Sequence, residues 1–322
     1  MTNEQTMPIE EEKKPFDWKR FLKKNIIAWL FVTPVVLGIL FFTLVPMITS
    51  LIYAFHDYLP QKFAQADKLS NFGVQHFKKI FTYGHNGLFD EVLYSLYVTF
   101  RYTIVSLTLQ IVGSYCVALF LNQQTKGIQA FRIIYYLPNL IPGVAGTLLW
   151  KNITDVNGYL NLLLTTLNLP KYTFYSDAST VLPTMLFTGI FSWGGTAIMW
   201  LSQMQNVPKE LYESAELDGA RYFQKTFKIT IPMTTSMLFY VIVTSMIGGI
   251  QTFSSVYPLL SVAQEEVRFI VVYIYQFAFN EVPYEAGLSM ACALSWVLFV
   301  IIAIMTSFIF KTSKWVYYGE EM

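Results

Sequence analysis

The sequence predicts an all-α integral membrane protein with six transmembrane helices and both termini in the cytoplasm. Three observations carry this. Apolar residues make up 54% of the chain and charged residues only 13%, about half the charge of a soluble domain. Mean hydropathy is +0.43. Six apolar segments are each long enough to cross a hydrocarbon core of about 30 Å, which takes about 20 helical residues. The short alternating segments of a β-barrel are absent from the sequence.

The spans fall at 26–55, 92–121, 132–150, 184–204, 233–258 and 288–310. The first is longer than a span needs and contains Pro34 and Pro46, so a kink or an extension beyond the bilayer is expected. Lys and Arg set the orientation. With both ends inside, segments 1–25, 122–132, 205–232 and 311–322 hold fourteen basic residues in 76 positions, whereas the outer loops 56–91, 151–183 and 259–287 hold seven in 98. Lys19, Arg20, Lys23 and Lys24 precede the first span. Residues 1–25 and 311–322 are therefore cytoplasmic tails, and the transmembrane body is 26–310. Cys116 and Cys292 lie within spans and are expected to pack, not to pair.

The spans lack Asp, Glu, Lys and His in their middles. Proteins driven by proton or sodium gradients place such groups there. Arg101 falls near the outer end of the second span, where it can snorkel. No GxxxxGK[ST] phosphate loop occurs, so ATP hydrolysis is not expected in this chain. His56, His76 and His85 share the first outer loop without metal-ligand spacing, and a solvated loop is their expected setting. No metal site, no catalytic residue and no nucleic-acid partner is predicted.

The segment between the fourth and fifth spans, 205–232, is polar and longer than a helix-to-helix connection requires. It holds Glu213-Ser214-Ala215, then Gly219, then Ile229-Thr230-Ile231-Pro232. This spacing resembles the EAA loop of binding-protein-dependent ABC importer permeases: EAA, three residues, Gly, nine residues, I-x-L-P. Ser214 replaces Ala and Ile231 replaces Leu. Further stretches resemble the carbohydrate branch, the maltose and glycerol-phosphate type. They are Phe31-Val32-Thr33-Pro34, Leu44-Val45-Pro46, Asn71-Phe72-Gly73, Arg132 to Pro138, Trp150-Lys151 and Leu217-Asp218-Gly219-Ala220. Gly158-Tyr159-Leu160-Asn161 is more typical of the first permease of a pair. A Gly-rich element common after the fifth span is replaced by Leu260 to Glu266.

The resemblance implies a type I ABC importer permease fold in a bacterial plasma membrane. It implies a homologous second permease, two cytoplasmic ATPase subunits that use ATP and Mg, an extracytoplasmic solute-binding protein and a sugar substrate. It also makes 205–232 the coupling loop, with Leu211, Tyr212, Glu213, Ser214, Ala215, Asp218, Gly219, Ile229 and Pro232 as coupling residues. Within that frame Asn206 would cap a helix opening near Pro208, and Gly219 would end it. Leu211, Tyr212 and Ala215 would share the face offered to a partner's groove. Tyr222, Phe223 and Phe227 would anchor a second short helix.

Gly194-Gly195 and Gly248-Gly249 sit in the spans that flank the loop. Interrupted helices tend to line cavities near the midplane. Thr188, Ser192, Trp193, Ser245, Gln251 and Thr252 stand close to these pairs, and their hydroxyl, amide and aromatic groups suit a sugar. Single small or hydroxyl residues equally serve helix packing. The same importer class for glycerol-phosphate or a peptide is an alternative, as is a gradient-driven secondary transporter. The first would call for cations in the pathway and the second for buried carboxylates.

Overall fold

The computed structural model describes residues 26–58, 72–84, 87–123, 126–175, 177–260, 266–279 and 286–317. The tail 1–25, His85, and the segments 261–265 and 280–285 of the third outer loop lie outside the described residues. The chain divides into a unit up to Ile52 and a second unit from Tyr53 onward.

In the first unit the opening span runs through helix Ile26–Ile39, a π-helical turn at Leu40–Leu44 and helix Val45–Ala54, whose last two residues begin the second unit. The π turn has a local cause. Pro46 has no N–H, and in an α-helix its ring would press on the carbonyl four residues back. The helix widens instead, and the Val45 N–H bonds to the Leu40 carbonyl, five residues back. Pro34 is carried inside the first helix. The expected irregularity is thus a widened turn within a continuous helical run.

In the second unit two spans are single helices, Phe89–Leu121 and Gly287–Lys311. The other three are bent pairs. Ile128–Leu140 and Gly143–Ile153 meet at 101°, Ala178–Ser192 and Gly194–Gln205 at 46°, and Tyr222–Met233 and Thr235–Ile250 at 64°. The uniform span expected at 132–150 is therefore corrected to two short helices near a right angle. Pro142 forces the turn, because the residue before a proline is driven out of the α region, and Ile141 is extended at φ −80°, ψ 125°. The fifth span ends at Ile250 and not at 258. Residues 251–258 form turns and the start of a 3-10 helix, Tyr257–Leu259.

The third outer loop holds an apolar helix, Ile270–Ala278, with Val272, Tyr273 and Phe277 buried. It is too short to be recognised as a span. The Thr99 hydroxyl accepts the Ile270 N–H at 2.9 Å, and the Tyr273 hydroxyl donates to Glu91, so both ends of contact lie on the second span. Met246, Ile250, Tyr273, Phe277, Met290 and Leu294 pack in one apolar core. At the inner ends, Ala118, Leu121, Trp200, Met204 and Val241 form another. Arg132 donates to the Leu121 carbonyl at 2.9 Å, which places a cation at the C-terminal end of the second span, where the helix dipole favours it. Cys292 packs against the first of these cores, whereas Cys116 is exposed. Asp177 caps the fourth span by accepting from the Ser179 N–H at 2.8 Å. The Ser179 hydroxyl and N–H together hold its carboxyl below the usual range.

Candidate coupling loop and solute pathway

The cytoplasmic loop folds as expected in outline and differently in detail. Helix Lys209–Leu217 starts behind Pro208, which makes no side-chain cap. Asn206 does not cap it; that residue closes the preceding helix, Gly194–Gln205. The far end is a Schellman turn. The Ala220 N–H bonds to the Ala215 carbonyl and the Gly219 N–H to the Glu216 carbonyl, with Gly219 at φ +75°. Glycine is needed there because a Cβ disfavours that backbone.

Leu211, Tyr212 and Ala215 do share a face, but it is the half-buried one. The Tyr212 hydroxyl lies 3.0 Å from that of Thr230, which pins the helix to the descending segment. Glu210, Glu213, Ser214 and Leu217 point outward, and Leu217 is 91% exposed. Tyr222, Phe223 and Phe227 are exposed too. The most exposed apolar groups of the loop are therefore Leu217 and these aromatics, while the Leu211–Tyr212–Ala215 face is half-buried. Asp218 is exposed beside Gly219, and Lys225 pairs with Glu216 at 2.6 Å on the surface.

The I-x-I-P end of the motif has a physical reading. Thr226–Thr230 is a π turn, and the Ile231 N–H bonds to the Thr226 carbonyl. Pro232 follows in the same register as Pro46 after its own π turn. Thr226, Thr230 and Thr234, spaced by four, are all buried. Their hydroxyls back-bond to the preceding turn, Thr234 to the Thr230 carbonyl at 2.8 Å. Ile229 is half-buried and Pro232 exposed. The chain then breaks at Thr234 and the fifth span begins.

A cavity of about 410 Å³ lies among the spans of the second unit. Five of the six predicted pathway residues line it: Thr188, Ser192, Trp193, Ser245 and Thr252. Gln251 does not; it closes the helix Thr235–Ile250 and is exposed. The Thr188 hydroxyl is engaged by that of Tyr175 at 2.9 Å. Trp150 and Phe191 form an aromatic wall with ring centroids 4.8 Å apart. The sequence reading missed Tyr102, Ser106 and Gln110 of the second span, which also line the cavity. Their spacing of four on an apolar helix is the signal that could have found them.

The helix interruption expected at the glycine pairs occurs in the fourth span and not in the fifth, and Gly194 and Gly249, one from each pair, sit at close approaches. A Cβ on Gly194 would stand 2.4 Å from the Tyr135 carbonyl oxygen, and one on Gly249 2.6 Å from Thr103. The fourth span does bend beside its pair, at Trp193. In the fifth span Gly248-Gly249 lies inside an unbroken helix. His76 is also not in a solvated setting: it is buried, with Nε2 3.1 Å from Asp57 Oδ1. No group of three or more metal-ligating side chains occurs among the described residues.

Residues 80–314 match the family described as Binding-protein-dependent transport system inner membrane component. This chain belongs to that family. It is a permease, a transport component of a bacterial inner membrane that works with a binding protein. A probable ABC transporter permease protein, YesP, of Bacillus subtilis (strain 168) is 31% identical over 93% of this chain and 94% of its own length. The arabinooligosaccharides transport system permease protein AraP of the same organism is 28% identical over 94% and 96%. Among solved structures, a bacterial ABC transporter involved in the import of the acidic polysaccharide alginate has the same fold. Its TM-score is 0.76 at 20% identity, over 92% of this chain and 98% of that one. The permease thus has the type I importer fold that its loop motif implied.

Proposed function

We propose that this permease carries a sugar or oligosaccharide inward as one half of a pathway completed by a homologous second permease. Two cytoplasmic ATPase subunits drive it, and a sugar-loaded binding protein delivers to its outer face. The observation that carries the sugar reading is the cavity wall. It offers hydroxyls, an amide and the Trp150–Phe191 face, with no ionisable side chain other than tyrosine. Sugar hydroxyls take hydrogen bonds and sugar C–H faces stack on aromatics. Relatives named for arabinooligosaccharide and lactose transport support the reading. A phosphate would require a cation in this half of the pathway, and a coupling ion a carboxylate; the wall supplies neither.

The coupling role falls on the outward side of Lys209–Leu217 and the one-turn helix after it. Leu217, Phe223 and Phe227 are exposed apolar groups on a cytoplasmic loop, suited to a hydrophobic groove. Gly219 and the Tyr212–Thr230 contact make the loop one stiff lever against the fifth span. Glu213, Ser214, Ala215, Asp218, Ile229 and Pro232 set its shape. Closure of the ATPase pair would swing this lever and reorient the spans. The test is uptake by the reconstituted four-subunit importer with its binding protein. Accumulation of a neutral oligosaccharide with no uptake of glycerol-phosphate is expected; the reverse preference would overturn the reading.

A further inference from the structure

Beside the 410 Å³ cavity lies a second one of about 600 Å³, and Gln110, Ser192 and Ser245 belong to the walls of both. The three come from three different spans. The fifth span rises outward from the cytoplasmic loop: Tyr240 and Thr244 line only the second cavity, Ser245 lines both, and Thr252 only the first. The second span runs the opposite way, with Tyr102 and Ser106 on the first cavity and Gln110 at the junction. The fourth agrees, passing from Thr188 through Ser192 to Thr196. Two helices that run inward and one that runs outward thus place one boundary at the same level. The second cavity is on the cytoplasmic side of it.

At that level the Gln110 side-chain amide donates to the Thr196 hydroxyl at 3.0 Å, so the second span is latched to the inner half of the fourth. Trp193 stands one turn away, its ring so close to Gly113 that a Cβ there would overlap it. We infer that Gln110, Ser192 and Ser245 form the neck of the solute pathway and that the Gln110–Thr196 hydrogen bond is its latch. An amide is suited to this. It donates and accepts, so a polyhydroxylated solute can replace the latch bond with its own hydroxyls while no charge enters the lipid interior. The inference rests on the importer reading, and Gln110 is on this account a specificity-determining residue.

The test uses the assembled importer in inside-out vesicles, with Cys116 and Cys292 replaced by Ala and a single Thr252→Cys on the outer cavity. A membrane-impermeant methanethiosulfonate reagent is added from the cytoplasmic side. Labelling of Thr252→Cys is expected to be slow with Gln110 present. It should rise about twofold to tenfold in Gln110→Ala, the range that corresponds to losing one hydrogen bond. Thr196→Val, which removes the acceptor and leaves the amide, should raise it as well, so the inference does not hang on one variant. Thr244→Cys, on the inner cavity, should react equally fast with and without Gln110→Ala. Unchanged labelling of Thr252→Cys in both variants, with Thr244→Cys reacting, would overturn the neck. An importer that carries no saccharide but labels in the expected pattern would overturn the sugar reading and uphold the neck.

Discussion

The coupling loop and the cavity are built in opposite ways. The loop is local: one stretch, 208–234, supplies its helix, its Schellman turn, its π turn and the Tyr212–Thr230 contact. The cavity is assembled from the second, third, fourth and fifth spans, with Tyr175, Thr252 and Ser255 added from loops. Each wall residue is ordinary by itself. A local device fails when one backbone position is wrong, whereas an assembled one degrades by steps as its helices shift.

That contrast is broken most directly at Gly219. In Gly219→Val a β-branched side chain must hold φ near +75°, a strain on the order of 1–3 kcal/mol. ATP-driven uptake in vesicles is expected to fall by about 5-fold to 150-fold, the factor to which strain of that size corresponds in an equilibrium, while membrane insertion stays normal. Gly219→Asn should lose far less, because Asn tolerates the left-handed region. Next in size is Gly194→Ala, which pushes a methyl into the Tyr135 carbonyl. A cost of about 1–3 kcal/mol should appear as a lower thermal midpoint in detergent. Gly248→Ala, where nothing lies within 4 Å, should leave the midpoint unchanged; equal losses from the two would break the close-approach account.

Smaller effects sharpen the comparison. Tyr212→Phe removes the hydroxyl that reaches Thr230 and should cost about 0.5–1.5 kcal/mol. It should also reduce the uptake obtained per ATP hydrolysed, a ratio that plain loss of protein would not change. Lys225→Ala breaks only the surface pair with Glu216, and a change within about 1 kcal/mol is expected. If Lys225→Ala cost uptake as heavily as Gly219→Val, the loop would be held by charge and not by its backbone.

The sequence made the loop legible because its chemistry is sequential. A glycine at a fixed distance from Glu213 and a proline thirteen residues beyond it describe a backbone path. What the sequence hid there was direction. Leu211, Tyr212 and Ala215 form an apolar face, and the sequence does not tell that Tyr212 within it reaches Thr230. The cavity was half legible. Thr188, Ser192, Trp193, Ser245 and Thr252 were reached by way of neighbouring glycines, although Gly194 and Gly249 are there for helix contact. Tyr102, Ser106 and Gln110 went unseen because no glycine pair marks their span. The bend at Pro142 and the nine-residue helix Ile270–Ala278 are not legible in the sequence for a common reason. Hydropathy reports that a segment is apolar and not whether it runs straight or crosses.

The most direct measurement is solute accumulation in liposomes holding this permease. With the second permease, both ATPase subunits, loaded binding protein and ATP, oligosaccharide should concentrate inside, and it should cease to do so when ATP is withheld. Concentrative uptake by the chain alone, driven by a proton or sodium gradient, would contradict the account.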